Sequence, residues 1–156
     1  MSAIETLSEV ARFDDRNINW RKLGDFEHFV YTIFNVDEAN EIADLCLKFE
    51  PRERIFLHRH RALTHTFVLQ GEHRLYEPNG ALKESRAVGT YTMSPASPDP
   101  HKEGAGDEPC VVFYSTRGTT NGVLFDVLDD EANQVGQMTL TDLAGLFELQ
   151  GRKSGA

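Results

Sequence analysis

Cysteine is scarce in this chain: Cys46 and Cys110 are the two present among 156 residues, and no CxxC pair occurs. Two cysteines cannot build the disulfide framework of a small secreted domain, so both are expected to be reduced, buried thiols of a cytoplasmic protein. Positive charge is also in deficit, with 16 Lys and Arg against 25 Asp and Glu, a formal net charge of −9. That balance argues against nucleic acid or an anionic membrane surface as the main partner. No apolar run approaches the roughly 18–20 residues that span a bilayer. The opening MSAIETLSEVARFDD has neither a basic start nor an apolar stretch, so no secretory signal is expected there. Internal repeats and low-complexity linkers are missing too. A hydrophobic content of 40% with 26% charged residues excludes wholesale disorder. The length predicts a single domain over residues 1–156, with a core at about 25–130.

What is present is a series of short β-type segments. FEHFVYTIF (26–34) and IADLCLKFE (42–50) are rich in aromatic and β-branched residues. In the second, Ala43, Leu45, Leu47 and Phe49 alternate with Asp44, Cys46 and Lys48, the period of a half-buried strand. Further runs follow at 54–60, 65–71, 73–77, 90–93, 110–116 and 122–128, separated by turn chemistry at Pro51, Gly71, Pro78-Asn79-Gly80, Gly89 and the proline-rich 94–100. Short strands with regular punctuation predict an all-β sandwich or closed barrel. Helical signals sit at the two ends. Residues 2–12 read as a short helix with Ser2 and Glu5 as a capping box. Residues 139–150 read as a second helix, with Thr141 as cap and Leu143, Leu146, Phe147 and Gln150 on one stripe.

Six histidines occur: His28, His58, His60, His65, His73 and His101. His58 and His60 are two apart on an expected strand, so both point to one face, roughly 6.5–7 Å apart along the chain. That spacing suits two imidazoles converging on one ion at about 2.0–2.2 Å each. Taken alone, an HxH is as readily a pair of solvent-facing polar residues. His28 and His73 have no partner spacing and read as structural or surface residues.

The surroundings of His58 and His60 add weight. Pro51, six residues, His58-Arg59-His60 and then Gly71 resemble the first cupin motif, G(x)5HxH(x)3–4E(x)6G. Gly89, Pro95, Ala96, Ser97 and His101 resemble the second, G(x)5PxG(x)2H(x)3N, with Ser97 at the inner glycine and Ala105 near the final asparagine. The resemblance covers roughly residues 40–117. It implies a jelly-roll β-barrel with short N- and C-terminal helices, one divalent metal ion on His58, His60 and His101, and a homodimer. Counting back from Gly71 places Thr64 where the motif has its glutamate, with His65 beside it, so the ligand set reads as three histidines with open positions. The HxH with a further histidine five residues on resembles a subgroup holding the acetylacetone and dihydroxyacetophenone dioxygenases and the cupin domain of anti-sigma factors.

His65 is read three ways: as a fourth ligand, as a hydrogen-bond partner of a ligand, or as a residue turned outward. Phe56, Thr64, Phe67, Tyr91, Phe113 and Phe125 are the expected pocket residues. The resemblance implies an iron(II) dioxygenase-like enzyme for a small diketone or hydroxyketone, in which the metal acts as Lewis acid and template. Zn2+, Ni2+ and Mn2+ are the other ions considered. Asp99 is the one acidic residue shortly before His101, where these dioxygenases carry a carboxylate. A non-oxidative cupin enzyme and a non-catalytic metal- or ligand-binding sensor are the alternatives.

Overall fold

The alternating 42–50 segment forms β2 (Ile42–Phe49), paired antiparallel on one side with β1 (Phe29–Asp37) and on the other with β9 (Cys110–Arg117). A computed structural model describes residues 12–154, with side chains to 151, so the capping box expected at Ser2 and Glu5 lies outside the described residues. Two further strands, β4 (Leu63–Gln70) and β7 (Tyr91–Ser94), complete a five-stranded sheet in the order β1-β2-β9-β4-β7. A second sheet has the order β11-β10-β3, with β3 at Leu57–His60, β10 at Val123–Leu128 and β11 at Gln134–Thr139. A third has the order β6-β5-β8, with β5 at His73–Tyr76, β6 at Leu82–Arg86 and β8 at Lys102–Ala105. The two small sheets are joined where His58 and His101 exchange backbone hydrogen bonds of 3.0 and 2.9 Å.

The strand bounds differ from the sequence expectation at particular points. β1 starts at Phe29, because His28 takes a left-handed φ of 75° that breaks the extended run. The run expected at 54–60 is a strand from Leu57 onward. β6, β8 and β11 were not expected at all, since LKESR, KEGA and QVGQMT lack apolar alternation. The one helix among the described residues, α1 (Leu140–Ser154), starts one residue later than expected and is capped by Thr139 rather than Thr141. Thr139 Oγ1 accepts from the Asp142 amide at 3.0 Å, and Asp142 Oδ2 accepts from the Thr139 amide at 3.1 Å. That reciprocal pair satisfies two helix-end donors.

Two packed clusters lie between the walls. One gathers Phe29, Phe49, Ile55, Val68 and Val112; the other gathers Tyr31, Ile33, Ala43, Leu124, Leu140 and Leu143, with α1 closing that end. Burial of each large apolar side chain contributes about 1.5–3 kcal/mol, and these contacts hold the barrel. Two glycines are fixed by backbone approach. A Cβ on Gly104 would stand 2.0 Å from the Glu53 carbonyl oxygen, and one on Gly71, at φ +74°, would stand 2.6 Å from that of Pro109. Gly104 therefore lets β8 run against the segment before β3, and so brings His101 and its neighbours to His58. Both cysteines are free and buried, and burial pushes each thiol up to about 12. No helix among the described residues is long and apolar enough to cross a membrane.

Candidate metal centre

His58 and His60 leave β3 on one face, as the period of two requires, and His101 meets them from the start of β8. Their ring centroids are 5.0, 4.7 and 5.1 Å apart in the pairs 58–60, 58–101 and 60–101. A carboxylate joins them. Glu103, two residues beyond His101, places Oε2 3.0 Å from His58 Nε2. One ligand atom from each of these four residues lies within 4.8 Å of every other. The site is thus three histidines and one glutamate, where the sequence reading had three histidines and an absent carboxylate. Glu103 comes from a different strand than the cupin motif uses, and the available signal was the His101-Lys102-Glu103 spacing, which puts both ends on one face of an extended segment.

Two of the three imidazoles have a partner at the other end of the ring. The Phe56 carbonyl accepts from His58 Nδ1 at 3.0 Å, which leaves Nε2 facing Glu103. The Thr64 hydroxyl donates to the Ala62 carbonyl at 3.0 Å and lies 3.5 Å from His60 Nδ1, so its oxygen can take that N–H weakly. His101 Nε2 is buried without a hydrogen-bond partner. An orphaned buried nitrogen is costly unless something occupies its lone pair. Metal-bound histidines are commonly fixed through the second ring nitrogen in this way.

The charges fit a cation. Burial works against the charge on Glu103, yet hydrogen bonds from His58 and His73 hold it well below the usual carboxylate range. Burial also opposes a charge on His58, but Glu103 outweighs it and raises that imidazole. His60 and His101 are pushed down, chiefly by burial, to about 4 and about 3. Two imidazoles are therefore neutral with lone pairs available. The His58–Glu103 pair holds a proton where a cation would replace it. Nitrogen and oxygen donors in this mixture suit iron, manganese or zinc, and the residues present fit one divalent ion.

Behind Glu103 is His73, which the sequence reads as a structural or surface residue and which is in the interior. His73 is fully buried, stacks on Phe49 at 5.8 Å and donates from Nε2 to Glu103 Oε1 at 2.9 Å; the Tyr114 hydroxyl donates to the same oxygen at 3.1 Å. Burial and the adjacent carboxylate push the Tyr114 hydroxyl well above its ordinary value, so it stays a donor.

The cluster opens onto a cavity of about 90 Å³. Its polar wall is His58, His60, Thr64, Glu103, Tyr114 and Thr116; most of the rest is apolar, including Phe29, Leu47, Phe56, Leu124 and Phe125. Of the expected pocket residues, Phe56, Thr64 and Phe125 line it. Phe67, Tyr91 and Phe113 do not: they sit on the outer face of the five-stranded sheet, with Phe67 38% and Tyr91 59% exposed. Its hydrophobicity puts Phe67 on the inner face, but Thr64, Thr66 and Val68 are the inward set of β4, the register that counting back from Gly71 to Thr64 gives. His65 consequently faces outward with Phe67, and its Nδ1 meets the Tyr91 hydroxyl rather than the metal cluster. His28 is at the surface against Glu50.

No family model matches the sequence, and no curated protein matches it. Solved structures do match. An RmlC-like cupin protein from Ralstonia eutropha JMP134 superposes with a TM-score of 0.72 at 14% identity, over 99% of this chain and 94% of that one. An acetylacetone dioxygenase from Acinetobacter johnsonii superposes with a TM-score of 0.65 at 10% identity, over 91% of this chain and 92% of that one. The Rhodobacter sphaeroides SigE complex with the anti-sigma ChrR gives 0.52 at 22% identity, over 65% of this chain and 50% of that chain. These likenesses and the three-sheet topology agree: the chain has the RmlC-like cupin fold, with His58, His60, His101 and Glu103 forming a group that could hold a metal ion.

Proposed function

We propose that this chain is a metal-dependent cupin enzyme, an iron(II) dioxygenase-like protein acting on a small diketone- or hydroxyketone-type compound in the cytoplasm as a homodimer. The observation that carries the reading is the cluster of His58, His60, His101 and Glu103, of which His58, His60 and Glu103 line a cavity whose other walls are mostly apolar. His58, His60, His101 and Glu103 would hold the ion, which would act there as Lewis acid and template for a small oxygen-bearing ligand. The chain's own part is to orient and to exclude water. Phe56 and Phe125, whose rings lie 6.3 Å apart, form an apolar side against which the body of a small ketone packs. The Tyr114, Thr64 and Thr116 hydroxyls point back at Glu103, Ala62 and Ala43, so they compete little for a ligand's oxygens.

One observation favours a second reading, a non-catalytic metal sensor. Three histidines and a glutamate would supply a full set of four ligands to zinc, and a site closed by protein ligands has the character of a structural one. Elemental analysis of anaerobically purified protein, followed by oxygen uptake with acetylacetone, separates the two. Stoichiometric iron with ketone-dependent oxygen consumption supports the enzyme. Tightly held zinc with no uptake after iron loading overturns it. In either case His58→Ala and His60→Ala are expected to lose most of the bound metal while the barrel, held by its apolar strands, stays folded.

A further inference from the structure

Arg59 and Arg61 alternate with the inward histidines of β3 and lie on the opposite face. Both close on a single oxygen: Arg59 Nε donates to Asp126 Oδ2 at 2.7 Å and Arg61 Nη1 at 2.9 Å. Asp126 is 1% exposed, covered by guanidinium groups that are themselves 28% and 33% exposed. Burying a carboxylate on the outer wall of a barrel is costly, and this one is tolerated because two cations neutralise it. The arrangement leaves one unit of positive charge fixed in place on a chain of net charge −9.

The donors are not used up. Each guanidinium carries five N–H groups in a rigid fork. Arg59 uses one on Asp126 and one on Gln134 Oε1 at 3.3 Å, and Arg61 uses one on Asp126. Beside them runs a groove of about 270 Å³, bounded by Arg59, His60 and Arg61 on one side and Ala96, Ser97 and Pro98 on the other. No carboxylate lines it. The Ser97 amide donates to the His60 carbonyl at 3.1 Å, which ties the proline-rich segment to β3 as the second wall. The Ser97 hydroxyl accepts from the Asp99 amide at 3.1 Å, which leaves its own proton for a ligand oxygen.

We propose that this groove binds a small oxyanion, a carboxylate or phosphate, on the unused N–H groups of Arg59 and Arg61 and on the Ser97 hydroxyl. Asp126 fixes the two forks, so little side-chain freedom is lost when an anion docks. Planar bidentate recognition of carboxylate or phosphate is the task to which arginine pairs are best matched. The site is distinct from the metal cluster, although His60 belongs to the walls of both the groove and the cavity. It does not depend on which metal is held, or on turnover.

The test is a titration of the full-length 15N-labelled protein with sodium phosphate and, separately, with sodium acetate, each against sodium chloride at matched ionic strength. Saturable shifts at the Arg59–Arg61 and 96–98 amides and at the arginine Nε signals are expected with at least one anion and not with chloride. Saturation with phosphate alone assigns the site to a phosphoryl group, with acetate alone to a carboxylate. Ser97→Trp fills the groove without touching the Asp126 ion pairs and should abolish the shifts. Arg61→Lys keeps the charge and loses the fork, and should weaken the binding several-fold. Non-saturating shifts with both anions throughout the millimolar range overturn the site, as do shifts unchanged in Ser97→Trp.

Discussion

His73 Nε2 lies 2.9 Å from Glu103 Oε1, while the other oxygen of the same carboxylate lies 3.0 Å from His58 Nε2. A single buried carboxylate is thus gripped from behind by His73 and Tyr114 and faces the metal cluster in front. Replacing His73 with Phe keeps the stacking surface offered to Phe49 and removes one of two donors to Oε1. Loss of such an outer partner typically costs about 10–100-fold in metal affinity. His73→Phe is expected to fall in that range by chelator competition with zinc, with its far-UV spectrum unchanged. An unaltered affinity would show that Tyr114 alone positions Glu103.

A pH-dependent contribution to stability is expected at the surface, away from this centre. His28 Nδ1 sits 3.0 Å from Glu50 Oε2, and its Nε2 lies 3.6 Å from Glu53 and 3.8 Å from Glu27. The Glu50 hydrogen bond raises the imidazole above its ordinary value of about 6.5. The folded state therefore binds the proton more tightly than the unfolded one. The stabilisation is fully present below about pH 6.5 and fades as the pH rises through the higher folded value. The pair is solvent-exposed, so added salt should shrink the effect. His28→Asn, which tolerates the left-handed backbone, should flatten this part of the urea-midpoint profile against pH. An NMR titration placing His28 at or below 6.5 would contradict it.

Assembly is not expected to use the edge of the first strand. An apolar edge such as FEHFVYTIF invites pairing when it is open, but this one is covered: Arg21 and Tyr31 exchange backbone hydrogen bonds of 2.9 and 2.8 Å, and the Gln150 amide brackets the Ile33 N–H and carbonyl at 3.0 and 2.7 Å. The open apolar surface is instead the outer face of the five-stranded sheet. There Phe34 meets Phe113 at 6.1 Å, and Phe113, Phe67 and Tyr91 follow as cross-strand neighbours. A contiguous aromatic row with exposed Met93 beside it marks an interaction surface. Light scattering is expected to give twice 17.6 kDa, and Phe67→Glu to return the mass to one chain. A monomeric wild-type chain at micromolar concentration would rule the homodimer out.

Legibility in the sequence followed side-chain chemistry. β2, β4, β9 and β10 carry β-branched and apolar residues, and their runs were visible. β8 was not visible, because its Gly104 is demanded by the Glu53 backbone and its Lys102 reaches out to Asp130. Glu103 rides on that strand, so the fourth member of the metal cluster went unseen while His58, His60 and His101, carried by a family-like spacing, did not. The inward set of β4 hinged on a one-residue register, and Phe67 looked like core on hydrophobicity alone. Its contact with the aromatic row of neighbouring strands explains why an apolar residue faces out.

That register gives the sharpest test of the site. Thr64 is 3% exposed, lines the cavity and lies 3.5 Å from His60 Nδ1, whereas His65 is on the far side of the same strand. Thr64→Glu therefore projects a second carboxylate toward the cluster that already holds Glu103. Two carboxylates favour a hard ion, so manganese affinity should rise relative to iron. The new side chain also fills a coordination position, and any ketone-dependent oxygen uptake should fall even when the protein is fully metal-loaded. His65→Ala, by contrast, removes a contact with Tyr91 and should leave metal affinity and metal preference as they are. The pair is read by competitive manganese and iron binding on the same day and in the same buffer. A change in metal preference on His65→Ala with none on Thr64→Glu would mean that β4 is shifted by one residue, since a single-residue slip exchanges the two faces.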